Sequence, residues 1–141
     1  MTDKSATGLV LLIGLLMFVG CTTRTTSDRD LVLIEYNRVV ELREAAEESR
    51  RGNRLLIVDV RRPEQFAQGH IPDAVNIPLA ELSRNDPRLT RADHIVVYGR
   101  DWADSRGPAG AKQLIQDGHG QVYDFRGGLE LWQERGGEVV Q

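Results

Sequence analysis

Between Tyr98 and Pro108 the chain carries Gly99, Arg100, Asp101, Trp102, Ala103, Asp104, Ser105 and Arg106, the residues best placed for chemistry. They follow an apolar run, His94 to Tyr98, that reads as a buried strand, and precede a stretch with helical spacing opened by Pro108. A polar loop at such a junction can turn its backbone N–H groups, and the helix N-terminus behind them, toward a bound anion. The loop's two arginines and two aspartates cancel, so the carboxylates oppose an incoming anion while Arg100 and Arg106 offset that opposition. Asp104, which could form an acyl-type intermediate, and Ser105 are the candidate nucleophiles, but Ser105 needs an adjacent base such as histidine and none is near in sequence. Trp102 either folds back over the loop as a plug or stands out as an anchor for a partner, since tryptophan is enriched at binding hot spots.

Few other residues offer chemistry. Asp59 interrupts the apolar run Leu55 to Val60, and Arg61 projects to the same side of an extended chain. A strand-end ion pair or backbone clamp fits the two better than a catalytic role, because a carboxylate within such a run is costly unless paired. His70, His94 and His119 are scattered and Cys21 is the one cysteine. That pattern provides no metal site and no internal disulfide, and no cofactor is expected. With 141 residues, 40% of them apolar, and a formal charge of -3, the chain suits one domain and lacks the basic footprint of a nucleic-acid binder.

The N-terminus reads differently. Lys4 precedes an apolar run from Leu9 to Val19 that has the length of a secretory h-region and falls short of the roughly 20 residues of a spanning helix. Phe18-Val19-Gly20-Cys21 resembles the bacterial lipobox, with Phe18 in place of the usual leucine and Asp3 weakening the positive start. The resemblance implies a signal peptide over residues 1–20, lipidation of Cys21, a tether over 21–30 and a folded domain over 31–141. An uncleaved signal anchor and a soluble protein are the alternatives. Thr22 after the cysteine resembles the pattern that sorts lipoproteins to the outer membrane in Gram-negative bacteria. The expected location is therefore the cell envelope, with the membrane as a partner through the lipid.

The elements that must position the loop alternate along the chain. Leu31 to Glu35 reads as an edge strand, and Asn37 as the cap of a helix running to about Arg50. Leu55 to Val60 reads as a central strand, and Pro63 as the start of a short helix. Leu79 to Ser83 follows as another short helix, Asn85 to Pro87 as a turn, then the strand His94 to Tyr98. The helix from Pro108 extends to about Asp117 with Gly118 as its stop, Val122 to Phe125 is a further strand, and Gly127-Gly128 turns into a final amphipathic helix carrying Trp132. Strands alternating with helices argue for an α/β domain, a parallel sheet with helices on both faces.

Two motifs carry a family resemblance: Asp59-x-Arg61, Glu64-x-Phe66, Gly69-His70-Ile71-Pro72 and Ala74-x-Asn76-Ile77-Pro78 in one stretch, and Gly127-Gly128-x-x-x-Trp132 in the other. Together they resemble rhodanese-like domains, with Asp73 where glycine is more usual. The resemblance implies a single domain around a parallel sheet of about five strands. It implies structural roles for Asp59, Arg61, His70 and Trp132, with His70 fixing a turn by hydrogen bonding. In active family members the strand equivalent to His94 to Tyr98 ends in a cysteine whose thiolate becomes a persulfide. Here the next residue is Gly99, and no other cysteine lies in the domain. The expected function is therefore a binding or regulatory module without sulfurtransferase activity, its loop meeting a protein partner or a small anion. A hydrolase or phosphatase-like enzyme using Asp104 or Ser105, and a purely structural envelope protein, are the alternatives.

Overall fold

Leu55 to Asp59 and His94 to Tyr98 are apolar at nearly every position, as strands covered on both faces must be. In the computed structural model, which describes residues 25–49 and 52–141, they form β2 (Leu55–Asp59) and β4 (His94–Tyr98). With β1 (Val32–Leu33), β3 (Val75–Asn76) and β5 (Gln121–Phe125) they make a five-stranded sheet of order β1-β5-β4-β2-β3, every pairing parallel. The expected signal peptide and Cys21 lie outside the described residues. Among those residues no helix is long and apolar enough to cross a membrane.

Alternate strand residues face opposite sides, and each side is covered by helices. Ile57, Val96 and Phe125 pack against Val39 and Leu42 of α1 (Tyr36–Glu48) and Leu129 and Trp132 of α5 (Gly128–Glu134). Val58, Ile95 and Val97 pack against Leu89 of α3 (Pro87–Thr90) and Ala111 and Leu114 of α4 (Arg106–Gln116). The remaining helix, α2 (Pro63–Gln68), starts on its proline. The expected α/β architecture is the one observed.

Local details depart from expectation for identifiable reasons. Asn37 does not cap α1: Glu35 holds that position without a side-chain bond, because Ile34 N–H donates to Asp124 O at 3.0 Å and turns the chain into the helix directly from the sheet edge. Asn85 to Pro87 is more than a turn. Asp86 accepts from Arg88 N–H at 2.8 Å and caps one turn of helix that buries Leu89. Leu79 to Ser83 shortens to a 3-10 turn, Leu79–Glu81. Helix α4 begins at Arg106, two residues before Pro108, whose missing N–H costs nothing in a first turn. Gly118, at φ +85°, ends it: His119 N–H donates to Leu114 O and Gly118 N–H to Ile115 O, a left-handed stop that favours glycine.

Strand β2 leads to β3 on one side, and the next strand, β4, lies on its other side. The crevice between the carboxyl ends of β2 and β4 is thus a point where the winding reverses, the usual place for ligands in open α/β sheets. The loop from Gly99 to Ser105 leaves β4 there.

Candidate functional site

The loop folds around a carboxylate of its own. Asp104 Oδ2 accepts from Arg100 N–H at 2.8 Å, and Oδ1 accepts from Arg106 N–H at 3.1 Å. The Arg106 guanidinium completes the set with Nε to Oδ1 and Nη2 to Oδ2, each 2.8 Å. The Asp104 side chain is only 8% exposed. It lies against Gly99, where a Cβ would stand 2.7 Å from Asp104 Oδ2. Residue 99 therefore has no room for a side chain while Asp104 holds this position. Burial works to raise the Asp104 pKa, but the guanidinium and backbone donors outweigh it and keep the carboxyl below its usual range. Arg106 is correspondingly raised by its bond to Asp104.

The other loop residues divide between internal bracing and solvent. Asp101 Oδ1 accepts from Ala103 N–H at 2.8 Å and Asp101 O accepts from Asp104 N–H at 3.1 Å, so the middle of the loop is itself a hydrogen-bonded turn. Arg100 reaches Asp101 at 3.5 Å from a largely exposed position. Trp102 is 56% exposed and does not cover the loop. Ser105 is exposed, sits at the helix cap without a side-chain bond, and no histidine enters the hydrogen bonds of the loop among the described residues.

Two neighbouring segments hold the loop in place. Arg106 Nη1 donates to Gln65 Oε1 of α2 at 2.9 Å. From the other side, Leu129 N–H donates to Gly99 O at 3.2 Å and Glu130 N–H to Arg100 O at 2.9 Å. This approach needs glycine at 128, where φ is +61° and a Cβ would meet Gly99 O at 2.5 Å. Beside the loop runs an open groove of about 1070 Å³ lined by Val60, Arg62, Pro78, Leu79, Ala103 and Ser105, among others.

Asp59 and Arg61 form a second pair behind the loop, and Arg61 lines a small crevice together with Gln65 and Arg100. Both are buried, and Asp59 takes Arg61 Nε at 3.0 Å and Nη2 at 2.6 Å. Arg61 Nη2 also donates to Gly69 O at 2.8 Å, tying the end of β2 to the Gly69-His70 turn. His70 Nδ1 lies 3.0 Å from Phe66 O, its ring stacked on Phe66 at 3.7 Å, and its backbone forms an antiparallel bridge with Val140. Trp132 is buried, donates from Nε1 to Glu138 O at 2.7 Å and packs on Tyr36.

A family model described as "Rhodanese-like domain" matches residues 41–135. The chain belongs to the rhodanese-like family. A "Sulfurtransferase" of Allochromatium vinosum is 34% identical over 86 residues, 61% of this chain and 78% of the relative. The "Uncharacterized protein YqhL" of Bacillus subtilis is 32% identical over 94 residues, 66% of this chain and 71% of the relative. The crystal structure of the BH2092 protein from Bacillus halodurans shares a TM-score of 0.63 at 26% identity, covering 77% of this chain and 76% of that one.

Within this rhodanese-like domain three contributors escaped sequence reasoning. Gln65 and Gly128 belong to the two motifs, yet nothing in the motifs shows that both brace the loop. Asp124 is hidden in an apolar strand. Its side chain is fully buried, Oδ2 pairs with Arg126 at 2.7 Å and Oδ1 has no hydrogen-bond partner among the described residues. Burial raises its pKa more than Arg126 lowers it.

Proposed function

We propose that this protein is a membrane-tethered rhodanese-like binding module that does not transfer sulfur. The observation that carries the reading is the pairing of Gly99 with Asp104: the residue that opens the loop has no side chain, and a carboxylate fills the space beside it. The resemblance places the family's reactive cysteine at this residue, and the protein's one cysteine is Cys21, far from the loop in sequence. A persulfide needs a thiolate to form on. The name of the Allochromatium vinosum relative therefore does not carry over as an activity.

The binding role is supported by Trp102. A turn braced at Asp101, Asp104, Gln65 and Glu130 presents this exposed indole on a fixed pedestal, so little loop entropy is lost when a partner covers it. A hydrolytic role for Asp104 or Ser105 finds less support: Asp104 is fully engaged as an acceptor, and Ser105 has no base among its hydrogen-bond partners. Cys21, lipidated, would hold the domain in the envelope by a tether of a few nanometres or less, at the outer membrane in a Gram-negative cell.

Two experiments test this reading. Photocrosslinking from the surface of the envelope-bound protein should recover a protein partner with the wild type and lose it with Trp102→Ala; equal recovery would leave the loop without a binding role. Intact mass of membrane-extracted protein should show a lipid-modified chain beginning at Cys21, and a full-length unmodified chain would refute the anchor.

A further inference from the structure

Four donors at the two ends of the loop meet on one group. The N–H of Arg100, the N–H of Arg106 and two arms of the Arg106 guanidinium all converge on the Asp104 carboxylate. We propose that Asp104 is a built-in ligand that closes the loop to external oxyanions, and that shortening its side chain opens the loop to them. The inference rests on reading Gly99 to Arg106 as the domain's binding loop, and its test involves no sulfur chemistry.

Three observations support closure by this residue. Asp104 lines the open groove, yet its side chain is only 8% exposed, because the loop donors enclose the carboxylate. Trp102, the one aromatic side chain in the loop, points outward at 56% exposure and leaves Asp104 as the cover. Gly99 completes the fit, because a Cβ at that residue would meet Asp104 Oδ2 at 2.7 Å. A side chain at 99 and the carboxylate of 104 thus compete for one space.

Charge leads to the same conclusion. With Asp104 in place the arginines and aspartates of the loop cancel, and the Arg106 fork is bidentately engaged by a partner two residues away. Without it, Asp101 is the one carboxylate left in the loop, Asp59 behind it is already paired with Arg61, and the Arg106 fork and both amides are free to take a sulfate or a carboxylate. Arg106 keeps its bond to Gln65, which holds the fork at the loop after the carboxylate has gone.

The test is thermal unfolding of the full chain, as wild type, Asp104→Ala and Asp104→Ser, in rising sodium sulfate against sodium chloride of matched ionic strength. Sulfate stabilises folded proteins generally by exclusion, so the readout is the difference between variant and wild type. Asp104→Ala should melt on the order of 10 °C lower and recover with the logarithm of sulfate concentration, as a bound ligand requires. The wild type should show only the general effect. Asp104→Ser, which keeps a small polar group, should respond like Asp104→Ala and serves if the alanine variant does not fold. Arg106→Ala added to the responsive variant should abolish the recovery. A wild type that gains as much from sulfate as the variants, or folded variants that gain no more than the wild type, would overturn the proposal.

Discussion

Asp59–Arg61 and Asp104–Arg106 have the same residues at the same spacing, and each pair is closed by a guanidinium on a carboxylate. Their surroundings set them apart. The side chains of Asp59 and Arg61 are 0% and 5% exposed, and Arg61 Nη2 also donates to Gly69 O, so this pair joins two parts of the scaffold. Those of Asp104 and Arg106 are 8% and 29% exposed, and Asp104 spends its remaining acceptor capacity on the two ends of its own loop. One pair is a clamp inside the fold; the other fills the place where a ligand would sit. The same dipeptide chemistry therefore stabilises structure in one setting and shapes a binding surface in the other, and burial with backbone context decides which.

Breaking each pair should separate the two roles. Asp59→Ala leaves Arg61 buried and unpaired and should cost about 3–5 kcal/mol, measured as a loss of urea midpoint with the fold at risk. Asp104→Ala removes several charge-assisted hydrogen bonds but leaves Arg106 partly in water and still bonded to Gln65. The loss should be about 1.5–3 kcal/mol, confined to the loop, with amide exchange accelerated at Arg100 and Arg106 and unchanged in β2.

Acid sharpens the contrast through a third Asp-x-Arg pair, Asp124–Arg126. The Asp104 pKa is depressed, so its contribution is fully present at neutral pH and is lost as pH falls through its folded value. The Asp124 pKa is raised, so its contribution is present below the ordinary carboxylate range and is lost as pH rises through its folded value. Denaturant midpoints between about pH 3 and pH 7 should fall more gently toward acid in Asp104→Ala than in the wild type. In Asp124→Asn they should fall more steeply, because the opposing slope is gone. The smallest effect on stability is expected from Trp102→Ala, within about 0.5 kcal/mol, since the ring is largely in solvent.

The scaffold was legible because its signals are long or repeated. The apolar runs of β2 and β4 and the two motifs each occupy several residues, and the parallel sheet with helices on both faces follows from their order. Asn37 is a good local cap for α1, but a single tertiary bond from Ile34 to Asp124 sets where the helix begins. The content of the loop was the least legible part. Sequence left it open whether Trp102 covers the loop. The residue that fills it is Asp104, through a side-chain to backbone closure that depends on the path of the chain and not on residue type. Asp124 went unnoticed for a related reason: one polar residue in a run otherwise read as strand shows nothing of its missing partner.

The most direct check on the central claim is sulfur transfer from thiosulfate to cyanide by the wild-type protein, Gly99→Cys and Gly99→Cys with Asp104→Ala. No thiocyanate above the buffer rate is expected from the wild type. Little is expected from the single variant, in which the new side chain collides with Asp104, and the most from the double variant. Turnover by the wild type comparable to that of the double variant would contradict the account.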